Sequence, residues 1–245
     1  MRKLLRCFLI GALWIGIWQI AGMLVGQTLL LPGPVAVAGR LVTLCTDGAF
    51  WASVGASLLR ILAGYLLGKT LGFVLGIATA RWQVIAGILQ PLLYIVRATP
   101  VSSFIILVLL WLHTELVPVL ISMLMVLSIS WQNIRDGYLQ TDTALLEMGH
   151  TFGLSHTAML RHIYLPSLRP YIASAAVTAL GLAWKSGVAA EVLCHPDFSI
   201  GASLYDAKIY LETTDLFAWT LVVILLSILL EQCIRKLVPA KKEVL

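Results

Sequence analysis

Residues 147–166 read E-M-G-H-T-F-G-L-S-H-T-A-M-L-R-H-I-Y-L-P, a polar segment in an otherwise apolar sequence. Asp142 is placed to cap a short helix, and Gly153 suits the left-handed position that ends one. Ser155 can then cap a second short helix, and we expect Pro166 to stop that helix from continuing. The pattern predicts two short helices joined at a glycine, a compact projection that fits a groove on another protein. An ordinary loop with capped helices is the alternative.

The spacing of five residues in this segment resembles the coupling loop of bacterial ABC-importer permeases. The family pattern is E-A-A, three residues, G, nine residues and I-x-L-P, and the matching positions are Glu147, Gly153, Ile163, Leu165 and Pro166. The departure is the Met-Gly pair after the glutamate, where the family prefers two alanines. In the family this cytoplasmic loop docks on the ATP-hydrolysing subunit and transmits its motion. The resemblance therefore implies an ATPase-coupling role for these five residues.

The composition of the whole chain predicts an all-α integral membrane protein. Of its 245 residues, 60% are apolar and 12% are charged, and the mean hydropathy is +0.93, far above the balance of a water-soluble domain. Several apolar stretches approach the roughly 20 residues that a helix needs to cross a bilayer. Six spans are predicted, near residues 8–25, 58–80, 101–112, 116–131, 172–193 and 216–233. The third and fourth are short, so a tilted or partly re-entrant arrangement stays open for them.

The distribution of basic residues predicts the orientation of the chain in the membrane. Lysine and arginine cluster before the first predicted span, after the last one and around the polar segment: Arg2, Lys3, Arg6, Arg81, Arg97, Arg135, Arg161, Arg169, Arg235, Lys236, Lys241 and Lys242. The opposite side holds mainly Arg40 and Lys208 among acidic residues. Because loops rich in lysine and arginine stay in the cytoplasm, we expect both termini and the polar segment to be cytoplasmic. The same bias explains the net charge of +5 without a nucleic-acid partner.

The N-terminal region has a basic start, an apolar run and small residues at 36–38, which together look like a secretory signal. The apolar run, however, extends over residues 7–31 and is too long for the hydrophobic region of a typical signal. We therefore expect a retained first span. The L-P-G-P at residues 31–34 predicts an external loop and is similar to the L-P-x-P of sulfonate, taurine and nitrate permeases.

Four glycines recur at intervals of four in the second predicted span: Gly64, Gly68, Gly72 and Gly76. On a helix they form one ridge without side chains, which allows a neighbouring span to approach closely. The ridge predicts a helix-packing seam. Whether the seam is static or shifts during transport stays open, and static seams are common in membrane bundles.

Two further motifs extend the resemblance to permeases of this branch. Residues 57–64 begin S-L-L-R and end in glycine, similar to the S-L-x-R-x-x-x-G of these permeases. Residues 97–100 read R-A-T-P and are similar to their R-x-x-P turn. Together with the coupling loop, the resemblance covers residues 51–235.

Residues 63–70, A-G-Y-L-L-G-K-T, resemble a relaxed phosphate-binding loop and would suggest an ATPase. Such a loop needs a preceding strand and a water-exposed nest of backbone N–H groups. Here the segment lies inside an apolar span, where backbone N–H groups must bond within the helix, and Ala63 replaces the first glycine. We therefore expect no ATP hydrolysis by this chain, and the energy must come from another chain.

Three charged residues fall within the predicted spans or near their ends. Lys69 lies beside the glycine ridge, and Lys185 and Glu191 lie on the fifth span. At about 1.5 Å per residue, Lys185 is about 21 Å along from Tyr171 and Glu191 about 30 Å, which places Lys185 within the bilayer and Glu191 near its outer mouth. Being six residues apart, they point about 120° away from each other and should not pair. We expect both at the translocation pathway. For Lys185, a structural pair with another acid or a side chain that reaches the interface is the alternative.

Other patterns give no catalytic or metal site. His150, His156 and His162 recur every six residues, which does not bring them to one helical face, and no nearby cysteine supports zinc. No Ser-His-Asp or paired-carboxylate arrangement is present. The four cysteines form no C-x-x-C pattern. Cys45 and Cys194 both fall on the predicted external side, so a disulfide between them stays open.

The resemblance implies the permease subunit of a type I ABC importer of the nitrate/taurine/sulfonate branch, in the bacterial inner membrane. Residues 1–50 would form the first span and an external loop, 51–238 the transmembrane core with a coupling loop at 136–169, and 239–245 a cytoplasmic tail. The chain would supply half of a pore for a small solute, an anion such as a sulfonate or nitrate. The implied partners are two ATPase subunits, a second permease copy or related chain, and an external solute-binding protein. ATP and magnesium would be held by the ATPases, and this chain would hold no cofactor and catalyse no reaction.

Two other classes of protein agree less well with the sequence. A stand-alone secondary transporter would need no cytoplasmic projection and would more often show an internal repeat, which the sequence lacks. A membrane enzyme would need a catalytic site in water, and no stretch outside the predicted spans is long enough for one.

Overall fold

The structure is a computed structural model that describes residues 2–237, with the side chains at 2–4, 7, 8 and 237 outside the description. Every regular element in this range is helical. In chain order the helices are α1 (Arg2–Val25), α2 (Pro34–Cys45), α3 (Gly48–Arg81), α4 (Gln83–Ala98), α5 (Val101–Val108), α6 (Val117–Leu139), α7 (Thr143–Thr151), α8 (His156–Met159), a π-helical turn (Leu160–Tyr164), α9 (Leu165–Cys194), α10 (Ile200–Ile209) and α11 (Thr213–Leu237). The predicted tail at 239–245, with Lys241 and Lys242, lies outside the described residues.

Within residues 2–237, four helical segments are long and apolar enough to cross a membrane: α3, α6, the continuous run His156–Cys194, and Thr213–Lys236 of α11. Helices α4 and α5 make a fifth span if this bent pair is counted as one. The apolar part of α1, Leu9–Val25, is a shorter apolar helix. The prediction of an all-α membrane protein is confirmed, and six spans are compatible with these helices.

The predicted third span, residues 101–112, is a short helix in a bent pair, in agreement with the re-entrant or broken arrangement that the sequence left open. Helix α5 has only 8 residues and meets α4 at a bend of 104°. The bend lies at Thr99 and Pro100, because a proline disfavours the helical conformation of the residue before it, and Thr99 has φ −77° and ψ 127°. The sequence analysis did not predict α4, which precedes the bend.

The fourth predicted span is longer than expected, because α6 continues from residue 131 to Leu139 and has 23 residues. Polar side chains in this extension bond within the helix. Gln132 Nε2 donates to the Asp136 carboxylate at 2.9 Å, and Asn133 Nδ2 donates to the carbonyl of Ile129 at 2.9 Å. These local partners make polar residues compatible with the continued helix.

The described residues divide into two compact units. The first unit comprises residues 2–57 and 195–226. Within it, the Arg40 guanidinium binds the Asp215 carboxylate through two hydrogen bonds of 2.6 and 2.7 Å, which tie α2 to the start of α11. The hydrogen bond that Arg40 donates to the Asp215 carboxylate raises the pKa of Arg40 above its ordinary value.

The second unit comprises residues 58–194 and 227–237. Its centre lies between α6 and α9, which are in extensive contact. The most buried large side chains there include Ile121, Leu180 and Trp184, each at most 1% exposed. The predicted coupling loop and all the predicted pathway and packing residues belong to this unit.

Candidate coupling loop and translocation pathway

Helix α7 begins the projection that the sequence predicts, and its first turn is capped by Asp142. The Asp142 carboxylate accepts the backbone N–H of Ala144 at 2.9 Å, which satisfies one of the donors that a helix leaves free at its start. At the other end, the Thr151 hydroxyl donates to the carbonyl of Glu147 at 2.9 Å. Helix α7 is thus stabilised at both ends by its own neighbouring residues.

The end of α7 is set by Gly153, which has a φ of +65°. Its N–H donates to the His150 carbonyl, and the N–H of Leu154 donates to the Gly149 carbonyl, both at 3.0 Å. These two bonds form a Schellman motif, in which the residue after the helix takes the left-handed conformation. A Cβ added at Gly153 would meet no atom within 4 Å. Glycine is therefore needed here for the backbone conformation and not for space.

The prediction that Pro166 stops the second helix is wrong. Ser155 caps that helix, its Oγ accepting the N–H of Ala158 at 3.3 Å, but the helical run then continues from His156 to Cys194. The π-helical turn Leu160–Tyr164 lies directly before the proline. In a regular helix the proline ring clashes with the carbonyl four residues earlier. The wider π turn gives the ring room, so the chain stays helical.

Gly149 and Ile163 bring the two halves of the loop together. A Cβ added at Gly149 would overlap Met159 Sδ and lie 2.8 Å from Ile163 Cδ1. These two side chains are 5% and 7% exposed and fill the space that an alanine at 149 would need. Ile163 therefore lies inside the loop. Of the other predicted coupling residues in this half, Leu165 is half-buried and Pro166 is exposed.

Four apolar side chains of the loop are exposed and form a surface that we call the docking face: Leu145, Met148, Phe152 and Leu154. The first three are spaced by three and four residues, so they share one side of α7 and its end. Phe152 is 76% exposed, and Glu147 and Gly153 are exposed with it. Exposed apolar surfaces of this kind mark sites of protein interaction. The sequence analysis missed these four residues, whose signal was apolar side chains within a polar segment.

The glycine ridge of α3 lies against α6. A Cβ added at any of the four glycines would lie no more than 2.8 Å from an α6 Cβ atom. The facing pairs are Gly64 with Ser122, Gly68 with Val126, Gly72 with Ser130, and Gly76 with Ile134. Because both series advance by four residues, the two helices run parallel in constant register.

We expect Gly68→Ala to destabilise the protein by about 1–3 kcal/mol, because the added methyl group would overlap the Met123 carbonyl and lie 2.8 Å from Val126 Cβ. Gly55→Ala, in the same helix, is the matched control, since a Cβ there meets nothing within 4 Å. Alanine favours a helix over glycine, so the control should be neutral or stabilising. The fraction of each variant that stays monodisperse after heating in detergent measures the difference. Equal stability of the two variants would contradict the close packing of the α3 glycines against α6.

Glu191 belongs to a buried ion cluster, and its place at the pathway stays a prediction. Its side chain is 0% exposed, and its Oε1 lies 3.6 Å from Nη1 of Arg60. Arg60 also binds Glu115, which is partly exposed before α6. A carboxylate in a packed interior needs a nearby cation, so Arg60 joins α3 and α9 through this pair. Gly187 permits the approach, since a Cβ there would lie 2.6 Å from Ile61 Cγ1.

Lys185 lies on an exposed row of α9 residues that we call the α9 stripe: Ser174, Thr178, Leu182, Lys185 and Ala189. They follow one another at intervals of three or four and so share one helical face. Within residues 2–237, Lys185 forms no ion pair. Glu231 approaches α9 at Gly181, where its Oε1 lies 3.1 Å from the position of a Cβ. A face with hydroxyls and an ammonium is poorly suited to lipid, because charges in a membrane need water or a partner.

The remaining candidate groups form no site in the described part of the chain. Cys45 and Cys194 are both free thiols in the structure. Between residues 2 and 237, no group of three or more histidine, cysteine, aspartate or glutamate side chains is placed to hold a metal ion.

Relatives of known family match most of the chain. The family model described as "Binding-protein-dependent transport system inner membrane component" matches residues 71–242. The taurine transport system permease protein TauC of Escherichia coli (strain K12) is 25% identical over 226 residues, which are 90% of this chain and 82% of TauC. The putative aliphatic sulfonates transport permease protein SsuC is 29% identical in Escherichia coli (strain K12), covering 81% of this chain and 76% of that protein. SsuC of Bacillus subtilis (strain 168) is 26% identical, covering 95% of this chain and 85% of that protein.

A solved structure shares the fold. A chain of the MetNI methionine ABC transporter, in an inward-facing conformation, superposes with a TM-score of 0.61 and covers 82% of this chain and 97% of its own length. The identity is 14%, so this likeness concerns the fold alone. The matched family region contains the coupling loop, the glycine seam from Gly72 onward and the α9 stripe. The chain belongs to the family of binding-protein-dependent transport system inner membrane components, and it is an ABC transporter permease.

Proposed function

We propose that this permease forms half of the pore of an ATP-driven importer for a small sulfonate-type anion. The observation that carries the proposal is the coupling loop, a capped helix ending at Gly153 with an exposed apolar face. Such a loop has a use only if another protein binds it. Within the region 51–238, the loop at 136–169 is the part that would receive the ATPase, and the α9 stripe is the part that would meet the solute.

The docking face would bind one ATPase subunit. Its apolar side chains would enter a groove on that subunit, and the exposed carboxylate of Glu147 would add a polar contact at the rim. ATP and magnesium would be bound by the ATPase, and we assign them no residue of this chain. The chain itself would catalyse no reaction.

The loop and the pathway share one helical element. The run from His156 to Cys194 has 39 residues, a length of about 58 Å at 1.5 Å per residue. The docking face precedes this run and packs against its first part, where Gly149 meets Met159 and Ile163. A displacement of the docking face would therefore pass through this packed contact to the long helical run and reach the α9 stripe. The π-helical turn Leu160–Tyr164 offers a point where the helix can bend. Closure of the ATPases on ATP would push two such loops together and open the pore outward, and hydrolysis would return it.

The α9 stripe would line the pore opposite the same stripe of a second permease copy or a related chain. An unpaired ammonium at Lys185 is unfavourable against lipid, and water in a pore removes that cost. The basic residues near the termini and the coupling loop favour a cytoplasmic position for them in the bacterial inner membrane. A solute-binding protein would then deliver the solute from the opposite side.

The solute class is inferred from relatives and charge. Relatives at 25% and 29% identity are named for transport of taurine and of aliphatic sulfonates. A sulfonate carries one negative charge at all physiological pH, and the Lys185 ammonium is complementary to it. A small sulfonate-type anion therefore agrees with both observations.

Phe152→Asp is expected to separate the permease from its ATPase. The substitution places a charge at the centre of the docking face, and a charge buried without a partner in an interface is strongly unfavourable. The measurement is the ratio of ATPase to permease after affinity purification from membranes. Phe198→Asp is the matched control, because Phe198 is also exposed but lies in the first unit, outside the loop. An unchanged ratio of ATPase to permease in Phe152→Asp would contradict the proposal that the docking face binds the ATPase.

A cysteine at position 185 is expected to react with small water-soluble thiol reagents. In a cysteine-free background, the reactivity of Lys185→Cys should change when a non-hydrolysable nucleotide traps the complex, because access from the two sides alternates. Lys185→Ala should lower uptake without preventing assembly, because an ammonium in contact with water contributes little to the stability of the fold. Leu229→Cys, on the apolar α11 and 56% exposed, is the control for labelling outside the pathway. If Lys185→Cys is unreactive and Lys185→Ala assembles poorly, Lys185 is not a pathway residue.

A further inference from the structure

A cavity of about 460 Å³ lies between α3, α6 and α9 in the second unit. Its walls are mostly apolar and include Phe73, Ile134 and Ala176, and its polar groups are those of Lys69, Thr70 and Ser130. The volume is within the range of small-molecule sites. Residues 63–70, which resemble a phosphate-binding loop in sequence, are helical within α3, so Lys69 serves no such loop.

Lys69 lies at the middle of the membrane-spanning part of α3. At about 1.5 Å per residue, it is about 14 Å from Arg60 and about 18 Å from Arg81 along the helix axis, and a bilayer's hydrocarbon core is about 30 Å thick. Within residues 2–237, Lys69 forms no ion pair, and its ammonium lies 5.9 Å from the ring centroid of Tyr65. A half-buried ammonium at this depth is stabilised by water or by an anion, and the described residues place no carboxylate in an ion pair with it.

Thr70 and Ser130 line the same cavity as the Lys69 ammonium, and their hydroxyls differ in hydrogen bonding. Thr70 donates within its helix to the carbonyls of Leu66 and Leu67, at 3.0 and 2.9 Å, so its oxygen remains only as an acceptor. Ser130 lines the cavity, and its hydroxyl forms no hydrogen bond to another of the residues 2–237. The cavity therefore offers one cation and one hydroxyl donor within a mostly apolar lining. This set matches a singly charged anionic head with an apolar tail.

We propose that the cavity is a binding site for a small anion with an alkyl tail, such as an alkanesulfonate, a class that rests on the proposed function. The Lys69 ammonium and the Ser130 hydroxyl bind the anionic head, and Phe73 and Ile134 contact the tail. The position of Lys69 near the middle of the membrane argues against a bilayer phospholipid as the ligand. The phosphate of a phospholipid lies at the edge of the hydrocarbon core, about 15 Å from the centre. A small free amphiphile has no such constraint and reaches Lys69 with head and tail together.

Binding of alkanesulfonates to the purified complex in phosphatidylcholine nanodiscs tests this site. From butanesulfonate to octanesulfonate, affinity is expected to rise about fourfold for each added methylene, because each buried methylene contributes to binding. Lys69→Met keeps the length of the side chain and removes the charge, and it should weaken octanesulfonate binding by about 10- to 100-fold. Lys69→Arg should restore most of the affinity. Lys208→Met, which removes an exposed lysine of α10, is the control and should bind like the wild type.

Three outcomes would overturn the site. The first is equal binding of octanesulfonate by Lys69→Met and the wild type. The second is loss of binding in Lys185→Met alone, which would show that the ligand binds at the α9 stripe instead. The third is a phospholipid retained by the wild type in native mass spectrometry, lost in Lys69→Met and not displaced by octanesulfonate. ATP-driven uptake by the same preparation tests the proposed function separately. Uptake with unchanged binding in Lys69→Met overturns the cavity site alone, and binding without ATP-driven uptake in the wild type overturns the proposed function alone.

Discussion

Gly153→Val is expected to reduce ATP-driven uptake to background while the protein still inserts into the membrane. The φ of +65° is unfavourable for any residue with a Cβ, by about 1–2 kcal/mol, and more for a β-branched one. The variant would lose the two hydrogen bonds that end α7, those from the N–H groups of Gly153 and Leu154. The docking face would then change position relative to the helix that follows. Uptake and solute-stimulated ATP hydrolysis by the reconstituted complex measure the effect.

Gly153→Asn is the matched control for this prediction. Asparagine tolerates the left-handed conformation, and no atom lies within 4 Å of a Cβ at this position, so the variant should retain most of its uptake. Glu147→Ala should weaken coupling partially, since Glu147 is exposed and not needed for the fold of the loop. Wild-type uptake with wild-type stimulation of ATP hydrolysis in Gly153→Val would rule out the coupling role of this loop.

Arg60→Met is expected to lower the free energy of unfolding by about 3–5 kcal/mol, the usual effect of removing one partner of a buried ion pair. The variant leaves the carboxylate of Glu191 in the packed interior without the guanidinium that lies 3.6 Å away. The yield of assembled complex and its midpoint of thermal unfolding in detergent measure the loss.

Two further variants separate the buried pair from the exposed one. Arg60→Met combined with Glu191→Gln should recover much of the lost stability, because the amide has a similar shape and carries no charge. Glu115→Gln should change stability by only about 0–1 kcal/mol, because that carboxylate is 44% exposed and solvent screens its interaction with Arg60. A double variant as unstable as Arg60→Met alone would contradict the account of the cluster.

Features decided within a few residues could be predicted from the sequence. Asp142 and Ser155 cap the helices that follow them, and Gly153 ends α7 in the left-handed conformation. Each of these depends on hydrogen bonds that reach no further than one helical turn. The four-residue spacing of glycines likewise indicated a close approach by another helix, although the sequence did not show that the neighbour is α6.

Three other features of the structure could not be predicted in full from the sequence. The pair of Arg60 and Glu191 joins two helices that are far apart in the sequence, so neither residue indicates the other. The continuation of the helix through Pro166 depends on a π-helical turn, for which the sequence gives no signal. The turn at residues 97–100 was predicted and the third span was expected to begin after it, but the sequence did not indicate α4 on the other side of the bend. The ion pair depends on contact between distant elements, whereas the π-helical turn is a local geometry that the residue types did not indicate.

The energy source of transport tests the central claim most directly. Proteoliposomes holding the permease and its ATPase are given labelled taurine or an alkanesulfonate outside, with the solute-binding protein, and ATP inside. The account predicts uptake that requires ATP, the ATPase and the binding protein together, and that a proton or sodium gradient cannot replace. Gradient-driven uptake by the permease alone, without the ATPase, would contradict it and identify a stand-alone secondary transporter.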